Sequence, residues 1–341
     1  MQASQKAVEI QSKELTMIKQ SSFHPAFYLR NRHLQTILPN IVHPQHPKLE
    51  KDRLELDDGD FIDLLWSQTR SPQTLLILHG LEGSAHSSYA QRILNYCNLH
   101  QIAAVFMYFR GCSGEPNRLL RSYHSGETGD LKQVIQHLQN KGVSDIALLG
   151  YSLGGNQVMK YMGEAETDST IRGAIGVSVP MMLGICSETM NRGFAKIYQA
   201  TLLRRLITKI QQKQVLIEDS TFSFPNPTKM KNFQQFDDHF TAPVHGFDSA
   251  NDYYEKSSSR QFLVNINKPT LLIHAKDDPF MTTDVLPEAG ELSSSVTLEL
   301  TQYGGHVGFI GSNKFLPTPW LEPRIHNFLN ESLGLQETSR S

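Results

Sequence analysis

Between residues 74 and 300, outside one long segment, the chain keeps returning to one pattern. A short apolar run ends in a turn of glycine or small polar residues, and a stretch with helical spacing follows. Thr74 to Leu78 runs into "HGLEGS" ahead of a helical stretch from Ser88 to Leu99. Ala103 to Phe109 runs into "RGCSGEP" ahead of Glu127 to Lys141, where Leu131, Val134, Ile135 and Leu138 take the i, i+3, i+4, i+7 spacing of one helix face. Ile146 to Leu149 precedes a helix over Leu153 to Met162. Ile171 to Val179, Thr270 to Ala275 and, as the last strand, Val296 to Leu300 follow, with Trp320 to Leu329 as a closing helix. Short strands without apolar–polar alternation are buried on both faces. Their helical connections predict an α/β fold with a mostly parallel, twisted sheet covered by helices on both sides. Ahead of them, Arg53 to Asp57 and Phe61 to Trp66 flank "DDG", a hairpin signal.

From about Met181 to Asn267 the alternation stops. Asn191 to Gln214 places Phe194, Ile197, Tyr198, Leu202, Leu206 and Ile210 on one helical stripe, and "STFSFPNPTKMKNFQQFDDHF" reads as loop. This segment is expected to be an insertion over the C-terminal edge of the sheet, where open α/β sheets bind ligands. A length of 341 residues accommodates one large domain. The expected division is an N-terminal arm over 1–52, a domain over 53–335 carrying a helical cap at about 181–267, and a tail over 336–341.

The junction at Ile146–Glu164, "IALLGYSLGGNQVMKYMGE", carries the chemistry. Gly150-Tyr151-Ser152-Leu153-Gly154 reads G-x-S-x-G between a strand and a helix, the context in which a sharp turn lifts a serine hydroxyl out of a sheet. Alone, the motif is weak. Two further stretches strengthen it. "HAKDDPFMT" places Asp277 and Asp278 just past a strand, and "YGGHVGF" places His306 in a glycine-rich loop after the last strand. The chain order Ser152, Asp278, His306 is that of α/β-hydrolases. A serine hydroxyl is a poor nucleophile at neutral pH; it needs an imidazole to take its proton, and the imidazole needs a carboxylate to fix its tautomer. Consecutive side chains leaving a strand diverge, so only one of the two aspartates can reach His306. The same geometry places an oxyanion hole at the backbone N–H groups of Leu153 and Leu81, the latter in "HGLEG", whose His79 is expected to support the loop.

With these stretches the chain resembles the YheT-type hydrolases, a branch of the α/β-hydrolase superfamily that includes yeast ethyl-ester-forming esterases and animal acylglycerol lipases. The matching stretches are "HLQTILP", "LILHGLEGSAHSSY", "FRGCSGEPN", "YHSGETGDL", "GYSLGGN", "DDPF" and "YGGHVGF", spanning His33 to Phe309. The resemblance implies Ser152, Asp278 and His306 as the charge-relay residues, with Asp278 favoured over Asp277 because Pro279 follows it. "RNRHLQT" departs from the glycine- or asparagine-proline usual before that histidine, which touches the N-terminal arm only.

The remaining features narrow the function class. A net charge of −2 gives no electrostatic reason to expect nucleic acid. Met1 to Ser22 lacks a signal peptide's apolar core, no apolar run of membrane-spanning length occurs, and three sparse cysteines (97, 112 and 186) suit reduced thiols and a cytoplasmic site. No metal is expected: His43 and His46 in "HPQHP" are separated by prolines, and neither H-E-x-x-H nor CxxC occurs. Arg110 and His124 read as hydrogen-bonded loop anchors, and Cys112 as a structural thiol. The helix from Asn191 to Gln214 carries Arg192, Lys196, Arg204, Arg205, Lys209 and Lys213 without an acid. It reads as a cap helix with a solvated basic face, and is compatible with transient membrane-surface contact. The expected activity is cofactor-free hydrolysis of small-molecule carboxylic esters with short- to medium-chain acyl groups or acylglycerol-like lipids, through an acyl-enzyme. The rivals are acyl transfer to an alcohol and a non-catalytic lipid-binding relative.

Overall fold

The structure, a computed structural model, describes residues 17–41, 46–164, 168–217, 222–313 and 316–334. The sequence-based statements about residues 1–16, His43 and the tail at 336–341 lie outside the described residues. Nine strands form one sheet: β1 (Ile18–Gln20), β2 (Glu50–Glu55), β3 (Phe61–Trp66), β4 (Gln73–Leu78), β5 (Ala104–Met107), β6 (Asp145–Tyr151), β7 (Ile171–Val177), β8 (Thr270–Ala275) and β9 (Val296–Thr301). Their order across the sheet is β1-β9-β8-β7-β6-β4-β5-β3-β2. The strands from β1 to β5 in that order pair in parallel; β3 and β2 are antiparallel additions at the far edge. Helices α1 (Arg32–Ile41), α2 (Ser88–Leu99), α3 (Gly129–Asn140), α4 (Leu153–Glu164), α5 (Leu183–Met190), α6 (Ala195–Leu216), α7 (Ala250–Ser257) and α8 (Leu321–Leu333) complete the fold. The central strands β4, β6 and β8 are almost wholly buried, in keeping with their largely apolar sequences.

The chain leaves β4 for β5 on one side and then returns to place β6 on the other. This reversal opens a crevice at the carboxyl ends of β4 and β6. The register aligns those ends: Leu78 opposes Gly150, Tyr151 opposes Val177, and Ala275 opposes Thr301. The loops after β4, β6, β8 and β9 therefore emerge at one edge.

Four features differ from the sequence-based expectation. The segment before residue 53 supplies β1, paired with β9, and α1, which packs under the His306 loop. Gln35 explains the second contact. Its buried amide donates to the carbonyls of Leu29 and Ile310 and accepts from the N–H of Ile310, a long-range tie that local periodicity does not encode. Beyond β9 there is a further antiparallel hairpin, β10 (Ile310–Asn313) with β11 (Leu316–Pro319). The stretch read as loop turns helical at Phe233, where the Asn232 side chain caps the Gln235 N–H, and continues as a π-helix over Asp237–Thr241. Phe236 and Phe240 bury against Leu203 and Ile210 of α6 there.

The fourth difference lies in α6 itself. Leu203 and Ile210 are buried, but Phe194 and Ile197 at its start are exposed, whereas Lys213 near its end is buried. Lys213 spends all three ammonium protons on the carbonyls of Leu119, Leu120 and Arg121, at 2.8, 2.9 and 2.7 Å. Lys209 pairs with Glu82 at 2.8 Å. Its basic face is thus partly a docking face onto the hydrolase core. Among the described residues no helix is long and apolar enough to cross a membrane.

Candidate active site

Ser152 sits at the β6–α4 junction with φ +51°, a left-handed conformation costing about 1–3 kcal/mol for a residue with a side chain. The flanking glycines make the turn sterically possible. A Cβ on Gly150 would lie 2.4 Å from the Gly154 carbonyl oxygen, and one on Gly154 would lie 2.5 Å from the His79 carbonyl oxygen. Only bare backbone lets α4 approach β6 and the loop after β4 this closely.

The structure brings Ser152, His306 and Asp278 into one chain of hydrogen bonds. His306 Nδ1 lies 2.8 Å from Asp278 Oδ2, and Nε2 lies 2.9 Å from Ser152 Oγ. A carboxylate can only accept, so the Nδ1 proton points at Asp278 and the Nε2 lone pair faces the serine hydroxyl. Asp278 is buried, and its other oxygen accepts the Phe280 N–H at 2.8 Å across Pro279. Asp277 instead turns away, accepting the Gly305 N–H at 3.0 Å. Burial and the neighbouring Asp278 charge push the Asp277 carboxyl up to about 6.

That placement separates the two aspartates experimentally. Asp277→Asn is expected to keep most of the activity. Asp277 holds its proton more tightly folded than unfolded, so its burial penalty is full above pH 6 and fades as pH falls towards 4. Wild-type protein should therefore gain melting temperature relative to Asp277→Asn between pH 8 and pH 5. Paired thermal melts with no convergence would contradict it.

Three supports of His306 escape sequence reasoning. The Phe280 ring stacks on the imidazole, with centroids 3.9 Å apart and planes within 10°. The His306 N–H donates to Thr36 Oγ1 of α1, and the Val307 N–H donates to Ser178 Oγ after β7, each at 3.0 Å. The "HLQT" stretch was the only signal for the first of these polar ties; Ser178 carried none.

Leu81 and Leu153 both border the space in front of Ser152. The N–H groups on either side of Leu81 are occupied: Gly80 donates to Tyr89 Oη and Glu82 to Tyr123 Oη, at 2.9 and 3.0 Å. The Leu153 N–H opens α4, where first-turn donors have no partner within the helix. Glu82, at φ +54°, is the buttress of this loop: its carboxylate accepts from Tyr123 Oη and pairs with Lys209. His79 is buried beneath, accepting the Phe109 N–H at Nε2, and burial drives its pKa down to about 3, so it stays neutral. Arg110 is a buried anchor, bidentate to Asp130 and bonded to Asp60 and Asp58. His124 accepts the Gly126 N–H, and burial holds it neutral. Cys112 has a cation beside it that the sequence did not reveal, Lys209 Nζ at 3.1 Å, yet burial pushes the thiol up to about 11. It remains a protonated thiol.

Ser152 and His306 stand where two cavities meet. The inner one, about 140 Å³, lies under the cap and is walled by apolar groups including Leu153, Leu183, Met190, Leu206 and Phe236. The outer cleft, about 570 Å³, runs between α1, α6 and the loop after β4, past Thr36, Ser84, Tyr198 and Arg205. Leu81, Leu202, Phe280, Ser152 and His306 border both.

A sheet of this order, with serine, acid and histidine on the loops after β6, β8 and β9, defines an α/β-hydrolase architecture. A family model described as "alpha/beta hydrolase fold" matches residues 73–312. The chain is 41% identical to YheT, an esterase candidate of Escherichia coli (strain K12), over 92% of this chain and 94% of that one. It is 26% identical to phospholipase ABHD3 of Mus musculus over 85% of this chain and 73% of the relative. The Pyrococcus furiosus esterase Pf2001 superposes with a TM-score of 0.56 at 16% identity, covering 84% of this chain and 93% of that one. The chain belongs to the YheT-type branch of the α/β-hydrolase family, and is a hydrolase.

Proposed function

We propose that the protein hydrolyses carboxylic esters with a short- to medium-chain acyl group through an acyl-enzyme. The observation that carries this reading is the continuous relay from Asp278 through His306 to Ser152 at the junction of an apolar chamber and an open cleft. The acyl chain lies in the inner chamber and the alcohol portion in the outer cleft. His306 Nε2 takes the hydroxyl proton as Ser152 Oγ attacks the carbonyl carbon. The carbonyl electron pair moves onto oxygen, facing the N–H groups of Leu81 and Leu153. Collapse expels the alkoxide, which takes the proton from His306 and leaves through the cleft. Water then enters the same cleft and bonds to the acyl carbon as it loses a proton to His306; the bond from that carbon to Ser152 Oγ breaks, Oγ takes the proton back from His306, and the acid is released. Asp278 holds the tautomer and balances the imidazolium.

The acyl assignment has a direct test. Each methylene buried in an apolar chamber is worth about 0.8 kcal/mol, roughly fourfold in kcat/KM. A panel of p-nitrophenyl esters should show kcat/KM climbing by about that factor per methylene from acetate, then levelling or falling once the chamber fills. Leu206→Trp should move the turning point to shorter chains while sparing the acetate ester. A flat profile would reject the chamber as the acyl site.

A further inference from the structure

We infer that the protein docks on anionic lipid surfaces through a face built jointly by α1 and the start of α6, at the mouth of the outer cleft. The two segments meet at His33, whose ring lies 4.3 Å from Phe194 and whose Nδ1 is 3.2 Å from Tyr198 Oη. Around that contact large apolar side chains face solvent: Leu34 is 46% exposed, Phe194 45% and Ile197 56%. Phe27, on the turn preceding α1, is 70% exposed. Single exposed apolar residues are ordinary; a cluster drawn from two distant segments is not.

The charge around the cluster selects the partner. The chain carries 34 acidic against 32 basic residues, yet residues 18–41 and 189–217 contain no acid at all. Lys209 and Lys213 are spent on the hydrolase core, and Arg192 pairs with Glu188 just outside the segment. Arg30, Lys196, Arg204 and Arg205 remain exposed on these two segments. Apolar and aromatic side chains ringed by cations match an interface of acyl chains beneath anionic headgroups. The position adds a reason. Thr36 and Ile37 of α1 and Tyr198, Thr201 and Arg205 of α6 wall the outer cleft, about one helical turn from the cluster. Docking here would hold the cleft mouth against the bilayer.

This proposal stands apart from the ester-hydrolase reading, because its first readout needs no catalysis. Full-length protein is floated with vesicles of phosphatidylcholine alone, or with 30% phosphatidylglycerol (about a third, enough to give a strongly negative surface). Binding is expected to be at least tenfold stronger to the anionic vesicles and to weaken with salt. Phe194→Ser/Ile197→Ser and Lys196→Glu/Arg204→Glu should each lower it about tenfold or more, with circular dichroism and hydrolysis of a soluble acetate ester unchanged. The proposal is overturned if wild-type protein does not float with anionic vesicles, if it floats equally with both kinds, or if both double variants bind like wild type. It is also overturned if light scattering shows a dimer that Phe194→Ser/Ile197→Ser dissolves while vesicle binding is unaffected, since a second copy would then cover the face.

Discussion

Ser152→Ala is expected to lower ester hydrolysis by about 10⁵- to 10⁶-fold, the scale on which nucleophile removal acts in serine hydrolases. Labelling by a fluorophosphonate probe should vanish with it. The variant should fold, because the hydroxyl is a small part of what holds the elbow. Its turn is set by the Ser152 N–H donating to the Val177 carbonyl at 2.8 Å and by the bare glycines on either side. Removing Oγ leaves His306 with Asp278 on one nitrogen and Phe280 on its face, so the relay stays assembled without a nucleophile. Burst titration and probe labelling on purified protein check the result. Labelling at the wild-type rate would place the nucleophile elsewhere.

Asp278→Asn is expected to cost about 10⁴-fold in kcat with little change in KM. The amide would present either an oxygen or an NH₂ to Nδ1. Its oxygen is already needed by the Phe280 N–H at 2.8 Å, so the NH₂ faces the imidazole. Nδ1 must then accept, the proton moves to Nε2, and the ring can no longer take the serine proton. KM should hold because Asp278 is buried behind His306 and borders neither cavity. Steady-state kinetics on the folded variant decide the matter. A loss below tenfold, or a larger loss in Asp277→Asn, would reassign the acid.

Much of this architecture was legible from periodicity. The short, largely apolar runs at 74–78, 146–149 and 270–275 read as strands covered on both faces, and they are. The glycines at 150 and 154 pointed to the elbow because their role is steric and local. What could not be read depends on partners far away in sequence. Phe280 stacks on a residue 26 positions later; Thr36 supports a backbone 270 positions away. Gln35 and Ser178 are ordinary polar residues until the fold closes around them. The polarity of α6 was misread for the same reason. Helical spacing says which residues share a stripe, but not that Lys213 would reach the carbonyls of Leu119, Leu120 and Arg121, nor that Phe194 would be left in solvent.

Those carbonyls give α6 a mechanical character. Lys213 and Lys209 rivet its last turns to the core at two places, one of them the loop that carries Leu81. Lifting this end of the cap would break the three Lys213 hydrogen bonds and the Lys209–Glu82 pair together. This end of the cap is therefore pinned like a vault rather than hung like a door. Traffic to Ser152 has to thread a standing opening, and the gauge of that opening, more than the tempo of any hinge, sets which molecules are admitted.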